Sequence, residues 1–235
     1  MIIAHRGNYE YSPFAENSIE ALTTALKKDY IQGVELDVRM TKDHVLVIHH
    51  NATIDHTSDG KGILSTMTLH ELYQYNFGTT KHPSKIATLQ NFLDVIDTDK
   101  DILIELKDGG ENNQIYIKKV GDLLRKYPHI HIKICSFSDA LLRHLRKQYP
   151  EFQLGKITFF KEQVLPSYVQ FLSIYHKTIE SDMKYPYYVW TITKKKELAS
   201  IKKRCNHNCQ GLITDIPKTV ASYFKNHSDN HHKQE

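Results

Sequence analysis

The sequence predicts an α/β protein built as one (β/α)8 barrel, on three observations. Short apolar runs alternate with segments of helical periodicity, which is typical of parallel strands joined by helices. Eight such units fit within 235 residues, close to the roughly 250 of a typical barrel of this kind. Polar side chains collect where the apolar runs end, and functional residues of this fold lie at that end of the strands. We therefore expect one barrel domain over residues 1–225 and a polar, His-rich tail over residues 226–235.

The first strand and the first helix are short and well marked. Residues 2–4 form an apolar run that ends at His5, which places a polar side chain at the strand end. Segment 18–28 has apolar residues at helical spacing, which predicts a helix. Asn17 or Ser18 could cap the first turn of that helix.

The following elements are predicted from the same signals. A strand covers 34–40 and an extra extended piece follows over 45–48, both rich in apolar residues. The polar stretch 51–66 contains two glycines and predicts a loop. Thr68 and Glu71 have the spacing of a capping box, so we expect a helix to start there. The remaining elements, in chain order, are a helix at 89–96, a strand at 102–106, a helix at 112–126, a strand at 130–134, a helix at 139–147, strands at 152–157, 169–174 and 187–192, a helix at 194–204, a strand at 211–214 and a helix at 217–224.

Composition limits the partners of the chain. A net charge of +4 is mild, so it does not indicate nucleic-acid binding. No run approaches the roughly 20 apolar residues of a membrane span, and the opening Met-Ile-Ile-Ala-His lacks the features of a secretory signal. Three cysteines do not make a disulfide framework. We expect no nucleic-acid partner, no stable membrane insertion and a cytoplasmic location, and the oligomeric state stays open.

Two pairs of polar residues lie on strands that are otherwise apolar. Glu35 and Asp37 are two positions apart, as are Glu105 and Lys107, so each pair shares one face of its strand. Unpaired buried charge is costly, and a cation would compensate it. The three carboxylates offer only oxygen ligands, which suit Mg²⁺ or Ca²⁺ better than zinc. The alternative is that Glu105 pairs with Lys107 and that no ion binds.

A series of short motifs, taken in order, is similar to that of the glycerophosphodiester phosphodiesterases. The matching segments are His5-Arg6-Gly7, Glu16-Asn17-Ser18, Glu35-Leu36-Asp37-Val38 followed by Thr41-Lys42-Asp43, His50, Asp59-Gly60-Lys61-Gly62, Glu105-Leu106-Lys107, Trp190-Thr191 and Thr214-Asp215-Ile216-Pro217. Each match is weak alone, but the ordered set is specific and spans residues 2 to about 220. The chain departs from the family pattern at Ala15, Ser18, Asn51, His56 and Thr193, where proline, threonine, aspartate, arginine and asparagine are usual or frequent.

The resemblance implies an enzyme that hydrolyses small glycerophosphodiesters to sn-glycerol 3-phosphate and an alcohol. Glu35, Asp37 and Glu105 would ligate one divalent cation, Mg²⁺ or Ca²⁺. His5 and His50 suit the roles of general base and general acid, because imidazole titrates near neutral pH. The sequence does not say which histidine is the acid, nor whether water or a glycerol hydroxyl attacks first.

Four further residues are candidates for binding the phosphate or the rest of the substrate. Arg6 can bind phosphate oxygens through two hydrogen bonds, and Lys107 adds a positive charge. Arg6 could also form a salt bridge to Glu16, and both arrangements could hold. Trp190 could form an apolar wall against the glycerol carbons, or it could pack as an ordinary barrel residue. Glu16 could contact the site or lie as a charge near a helix N-terminus.

The neighbouring residues His49 and His50 have to be distinguished. Adjacent residues of an extended chain point to opposite faces. Both faces of this strand are apolar, so periodicity does not choose between the two histidines. The resemblance indicates His50, because it lies fifteen positions after Glu35, where the family has its second histidine.

Two other functions remain open. One is a barrel phosphodiesterase of other lipids, of the lysophospholipase D or phosphatidylinositol phospholipase C type. The other is a non-catalytic barrel that binds phosphorylated ligands, which the presence of both histidines and all three carboxylates disfavours.

Three further sets of residues are interpreted without a role in catalysis. Cys205 and Cys209 resemble a fragment of a metal site without a second pair of ligands. The basic clusters at 194–196 and 202–204 predict an exposed helix face, with weak attraction to an anionic membrane as the alternative. The tail residues His227, His231 and His232 are expected to be solvated.

Overall fold

Eight parallel strands close into a barrel in the computed structural model, which describes residues 1–107, 113–162 and 164–228. The strands are β1 (Ile2–His5), β2 (Gly33–Met40), β3 (Leu46–Ile48), β4 (Ala87–Thr88), β5 (Asp101–Leu106), β6 (Ile132–Ser136), β7 (Gln153–Thr158), β8 (Phe171–Tyr175), β9 (Tyr187–Ile192) and β10 (Cys209–Thr214). The barrel order is β1, β2, β5, β6, β7, β8, β9 and β10, and β10 pairs with β1 through Ala4 and Thr214. The predicted barrel is therefore confirmed.

The described residues form seven α-helices besides the strands. They are α1 (Ile19–Leu26), α2 (Leu69–Leu72), α3 (Leu89–Val95), α4 (Asn113–Leu124), α5 (Asp139–Gln148), α6 (Leu198–Arg204) and α7 (Pro217–Ser228). Ser18, rather than Asn17, caps α1 by accepting a hydrogen bond from the Ala21 N–H group, and the predicted capping box of Thr68 and Glu71 starts α2.

Two of the connections between barrel strands contain no α-helix in the part of the chain that the structure describes. They join β7 to β8 and β8 to β9. The second connection supplies Ile179 and Met183, which pack with Leu172 and Ile174 of β8. Loop residues therefore bury the outward-facing side chains of β8 in the place where a regular barrel has a helix.

A small antiparallel extension grows from the end of β2. One edge of β2 pairs first with β1, over Gly33–Glu35, and then with β3, over Val38–Met40, so that Val38 lies opposite Ile48. The other edge of β2 pairs with β5 as far as Val38. The two-residue strand β4 then pairs with β3 and was not predicted. The extension has its own apolar cluster, which consists of Val47, Ile54, Leu64, Leu72, Phe77 and Ile86. It brings the residues that follow β3 to the mouth of the barrel.

Several element boundaries differ from those predicted, and local hydrogen bonds explain two of the differences. The Ile130 N–H group donates to the Tyr127 carbonyl in a turn, so β6 begins two residues later than expected. The Val169 N–H group donates to the Pro166 carbonyl in a second turn, so β8 begins at Phe171. Helix α7 continues to Ser228, beyond the predicted end at residue 224.

Parts of the predicted C-terminal tail cannot be compared with the structure. Residues 229–235, with His231 and His232, lie outside the described residues, as does the side chain of His227. The predicted boundary of the barrel domain at residue 225 stays a prediction. The described part of the chain contains no helix with the length and apolar character that a membrane crossing requires.

Strand alternation organises the barrel interior into layers. The lower layer is apolar and consists of Ile3, Leu103, Cys135, Ile157, Phe171, Tyr188 and Ile213. Because side chains two residues apart on a strand point the same way, the next layer toward the strand ends contains the residues that follow these by two positions. That layer forms the mouth of the barrel.

Gly33 at the start of β2 is needed for this closure. A Cβ atom at this position would lie 2.4 Å from the Asp101 carbonyl oxygen and 2.8 Å from the Ile3 side chain. We expect Gly33→Ala to lower the free energy of unfolding by about 1–3 kcal/mol, measured by urea denaturation. Gly211→Ala is the control, because its Cβ would meet the Tyr188 ring at 3.1 Å. Equal losses in the two variants would contradict this explanation.

Candidate active site

The mouth of the barrel is divided into a charged half and an aromatic half. The charged half is supplied by strands β10, β1, β2 and β5, which carry Asp215, His5, Glu35, Asp37, Glu105 and Lys107. Strands β6 to β9 carry Phe137, Phe159, Tyr175 and Trp190. A cavity of about 100 Å³ lies between the halves. Its lining includes His5 and His50 from the charged side and Phe137 and Trp190 from the aromatic side.

The three predicted metal ligands converge in the charged half. One carboxylate oxygen from each of Glu35, Asp37 and Glu105 lies within 4.8 Å of the others. The strand register explains this, because Asp37 lies directly opposite Glu105 across β2 and β5. Among the described residues this is the one cluster of three acidic, His or Cys side chains with such geometry. Its all-oxygen donor set fits a hard cation such as Mg²⁺ or Ca²⁺.

The electrostatics of this cluster also favour a cation. Burial and the charge of Asp37 raise the pKa of Glu35 to about 8, and they raise the pKa of Glu105 as well. Burial opposes ionisation of Asp37 too, but Lys107 and Arg6 outweigh it and lower the pKa of Asp37 to about 2. The protein's own cations therefore compensate Asp37 but leave two carboxylates that an added cation would stabilise.

Lys107 lies between two of the carboxylates. Its Nζ atom is 2.9 Å from Asp37 Oδ1 and 2.5 Å from Glu105 Oε1. The alternative pairing of Glu105 with Lys107 is thus present in the structure. It does not replace the cluster, because Glu35 has no contact of this kind with Lys107 and the three carboxylates still converge.

Arg6 is positioned by an unusual backbone. Arg6 and Gly7 have φ angles of 54° and 74°, in the left-handed region. In this conformation the Arg6 N–H group donates to Glu35 Oε2 at 3.1 Å, and its guanidinium Nη1 donates to Glu16 Oε1 at 2.8 Å. Its Nε atom lies 3.2 Å from Asp37 Oδ2. The predicted salt bridge to Glu16 is present, and it holds Arg6 at the edge of the cavity.

His5 is paired with an aspartate that the sequence analysis did not assign to the site. The His5 Nδ1–H group donates to Asp215 Oδ1 at 2.8 Å, and the Asn8 amide donates to the same oxygen at 3.2 Å. A carboxylate only accepts, so this bond directs Nε2 toward the cavity, 4.0 Å from Glu35 Oε2. Burial lowers the pKa of His5, but Asp215 and Glu35 overcome it and raise the pKa above its usual value.

His49 and His50 point in different directions, as expected from their adjacency. His49 is buried in the antiparallel extension, with its ring nitrogens 2.9 Å from the Asn51 carbonyl and 2.6 Å from the Thr57 hydroxyl. Its ring also packs edge-on against Phe77. His50 lines the cavity instead.

The environment of His50 favours the neutral imidazole. Its Nδ1 atom is 2.7 Å from the side-chain oxygen of Asn51. Burial lowers the pKa of His50, and Lys107 and Arg6 lower it further, whereas Asp37 opposes them. The acid–base role of His50 stays a prediction.

Asn17 is a second residue that the sequence analysis missed as part of the site. Its amide donates to Asp37 Oδ2 at 2.9 Å, and its backbone has a φ angle of 59°. The sequence marked it only as a possible helix cap within a family-like motif. Asn17 fixes the orientation of the central carboxylate of the cluster.

Trp190 lies at the cavity and within the barrel packing, and its contact with the glycerol carbons stays a prediction. It lines the cavity, and it is also packed, since its Nε1–H group donates to the Ser173 carbonyl at 2.8 Å and its ring contacts Phe137, Phe159 and Tyr175.

Other sequence features lie away from the mouth. Cys209 begins β10, at the opposite end of the barrel, and Cys205 follows the last residue of α6. The lysines of the basic clusters are exposed as predicted. Arg204 is only partly exposed, because its guanidinium donates to the carbonyls of His176 and Lys177.

Comparison with known proteins identifies the family to which this chain is similar. The family model described as "Glycerophosphoryl diester phosphodiesterase family" matches residues 5–219. A glycerophosphodiester phosphodiesterase of Caldanaerobacter subterraneus is 28% identical over 244 residues, which cover 96% of this chain and 98% of that protein.

Two solved structures share the fold at lower identity. A phosphodiesterase of Oleispira antarctica, in complex with the product sn-glycerol-3-phosphate, superposes with a TM-score of 0.83 at 22% identity, over 96% of both chains. A glycerophosphodiester phosphodiesterase of Parabacteroides distasonis superposes with a TM-score of 0.80 at 21% identity, over 97% of both chains. The chain therefore belongs to the glycerophosphoryl diester phosphodiesterase family and is a phosphoric diester hydrolase.

Proposed function

We propose that this enzyme hydrolyses glycerophosphodiesters to sn-glycerol 3-phosphate and an alcohol, with one divalent cation bound by Glu35, Asp37 and Glu105. The observation that carries the proposal is that the three carboxylates converge and that two of them, Glu35 and Glu105, line one cavity together with both histidines. The names of its relatives and the product bound to the Oleispira antarctica enzyme support the choice of substrate.

The positive groups at the cavity would stabilise the phosphoryl charge. A bound Mg²⁺ or Ca²⁺ would polarise a phosphoryl oxygen and offset the charge that develops in the transition state. Arg6 and Lys107 border the same cavity and would bind the remaining phosphoryl oxygens. Glu16 would act on the substrate indirectly, because its carboxylate holds the Arg6 guanidinium.

The two histidines would transfer the protons. In each ring the Nδ1 atom forms a hydrogen bond with a neighbouring side chain. That side chain is Asp215 for His5 and Asn51 for His50. The Nε2 atoms are therefore left for the substrate. One histidine would accept a proton from the attacking hydroxyl group, and the other would donate a proton to the leaving alkoxide.

A substrate panel tests this proposal. Purified enzyme is given glycerophosphocholine, glycerophosphoethanolamine and glycerophosphoglycerol, after chelation and after metal addition, and sn-glycerol 3-phosphate is measured with a coupled dehydrogenase assay. We expect release of sn-glycerol 3-phosphate only with metal present. Phosphorus NMR separates the alternatives, because a phospholipase C type would form a phosphorylated head group or a cyclic phosphate. A metal-loaded enzyme that binds these diesters but releases nothing would contradict the proposal.

The role of Arg6 can be tested separately. We expect Arg6→Ala to lower kcat/KM for the diester by roughly 10- to 100-fold, because hydrogen bonds to charged groups contribute about 1.5–3 kcal/mol. Arg125→Ala is the matched control, since Arg125 is exposed, pairs with Glu151 and lies at the other end of the barrel. Similar values of kcat/KM for the wild type and the Arg6 variant would exclude a role of Arg6 in phosphate binding.

A further inference from the structure

Serine and threonine side chains are buried at several positions in the described part of the chain. They are Ser18, Thr41, Thr88, Ser136, Thr158, Ser173 and Thr214. All but one of these hydroxyl groups form a hydrogen bond within the protein, as buried polar groups generally do. The exception is the Ser173 hydroxyl, which has no partner among the described residues although Ser173 is only 2% exposed. The surroundings of Ser173 have to explain this difference.

Ser173 belongs to the lining of the cavity between the two halves of the mouth. It follows Phe171, a residue of the lower barrel layer, by two positions on β8, so its side chain lies in the layer that forms the mouth. The lining contains one further hydroxyl group, that of Thr191, but Thr191 is partly exposed. Ser173 therefore offers a buried hydrogen-bond donor and acceptor to a molecule in the cavity.

Ser173 lies across the barrel from the carboxylates of β2. In the closed order β1, β2, β5, β6, β7, β8, β9 and β10, strand β8 is equally far from β2 in both directions. Glu35 lines the cavity from the β2 side, and Ser173 lines it from the β8 side. A ligand whose phosphate binds at the carboxylate cluster would therefore reach Ser173 with the atoms that are farthest from its phosphorus atom.

The cavity walls that accompany Ser173 are apolar. Ile157, Trp190 and Ile213 belong to the same lining. The Nε1–H group of Trp190 donates to the Ser173 carbonyl oxygen at 2.8 Å, and this is the only polar group of an indole ring. The cavity holds about 100 Å³, so it accommodates only a small group beside the phosphate. This side of the cavity therefore fits a short carbon chain that ends in one hydroxyl group.

We propose that Ser173 determines substrate specificity by binding the terminal hydroxyl group of the glycerol moiety. This hydroxyl is the polar group of glycerol farthest from phosphorus, and the carbon atoms between them would contact the apolar walls. The choline half of glycerophosphocholine has no free hydroxyl, so it offers no such partner to Ser173. The inference rests on the proposed function, because that function places the phosphate at the carboxylate cluster.

A pair of substrates tests the assignment together with Ser173→Ala. The substrates are glycerophosphocholine and its 1-deoxy analogue, in which a methyl group replaces the terminal hydroxymethyl group. We expect the wild-type kcat/KM to be roughly 3- to 10-fold lower for the analogue, because a neutral hydrogen bond makes a modest net contribution. In Ser173→Ala, kcat/KM for glycerophosphocholine should fall by a similar factor, while kcat/KM for the analogue stays near that of the wild type. The variant should therefore hardly distinguish the two substrates.

Ser136→Ala is the matched control. The Ser136 hydroxyl is equally buried, but it donates to the Leu106 carbonyl at 2.7 Å, and Ser136 does not belong to the cavity lining. We expect Ser136→Ala to lower the melting temperature and to keep the wild-type preference for glycerophosphocholine, whereas Ser173→Ala should lose the preference and keep the melting temperature. If the alanine variant at position 173 does not fold, Ser173→Cys repeats the test with a weak donor of similar size. A folded variant at this position that keeps the wild-type preference overturns the proposal.

A binding measurement separates this proposal from the proposed function. Trp190 is the one tryptophan of the chain and lines the cavity, so its fluorescence reports binding without turnover. The probes are sn-glycerol 3-phosphate, its 1-deoxy analogue and inorganic phosphate, each with Mg²⁺ present. If no diester is hydrolysed but the wild type prefers sn-glycerol 3-phosphate to the analogue and Ser173→Ala does not, the proposed function fails and the role of Ser173 stands. If glycerophosphocholine is hydrolysed but Ser173→Ala weakens all three probes equally, Ser173 binds the phosphate and this proposal is wrong.

Discussion

Removal of divalent cations should abolish hydrolysis, and Mg²⁺ or Ca²⁺ should restore it. Lys107 and Arg6 compensate the charge of Asp37, but the pKa values of Glu35 and Glu105 stay raised. The positive charges of the protein therefore do not fully compensate these two carboxylates. Because a metal ion supplies several kcal/mol of charge stabilisation in the transition state, we expect a loss of at least about 10³-fold. Initial rates are measured in chelator, with elemental analysis of the same sample.

The ligand assignment has its own control. Glu105→Gln should raise the metal concentration needed for half-maximal activity, whereas Asp122→Asn should not, because Asp122 is exposed on α4 and pairs with Lys118. Full activity in excess chelator, with metal removal confirmed, would show that no ion is required. An unchanged metal requirement in Glu105→Gln would remove Glu105 from the ligand set.

His50→Ala should lower kcat by at least roughly 10²-fold, which is the usual cost of losing a general acid or base. His49→Ala should instead lower stability while kcat stays near that of the wild type. The structure supplies the reason, since His50 lines the cavity and His49 is buried against Phe77 and hydrogen-bonded within the extension. Both variants are compared by steady-state kinetics and thermal melts.

The two histidines serve as controls for each other, because they are adjacent and chemically identical. A folded, inactive His49→Ala together with a fully active His50→Ala would mean that the assignment is wrong by one residue. Losses of activity in both folded variants would mean that the extension itself positions the reaction.

Much of the fold and the acidic cluster was predictable because both depend on local patterns. Apolar runs of strand length, Gly and Pro at the connections, and the two-residue spacing of Glu35 and Asp37 are all visible along the chain. Once Glu105 occupies the same face of the next barrel strand, convergence follows from strand geometry. Strand β4 was not predicted, because a strand of two residues is too short to show an apolar run or an alternation.

The missed parts of the site depend on contacts between distant segments. Asp215 meets His5 only because the barrel closes, and the two residues are 210 positions apart. Asn17 reaches Asp37 through a left-handed backbone that composition does not reveal. The aromatic half of the mouth draws its residues from four different strands, so no single stretch of sequence indicates it.

The two connections in which the described residues form no α-helix have a consequence for local motion. Helical amides are protected from exchange with solvent by their hydrogen bonds, whereas loop amides open at lower cost. We expect residues 164–170 and 176–186 to exchange their amide hydrogens for deuterium faster than α4 and α5 do. Both of these segments flank β8, which ends at Tyr175 in the aromatic half of the mouth. We therefore expect the half of the barrel that carries Tyr175 to open locally at lower cost than the strands that hold the carboxylates.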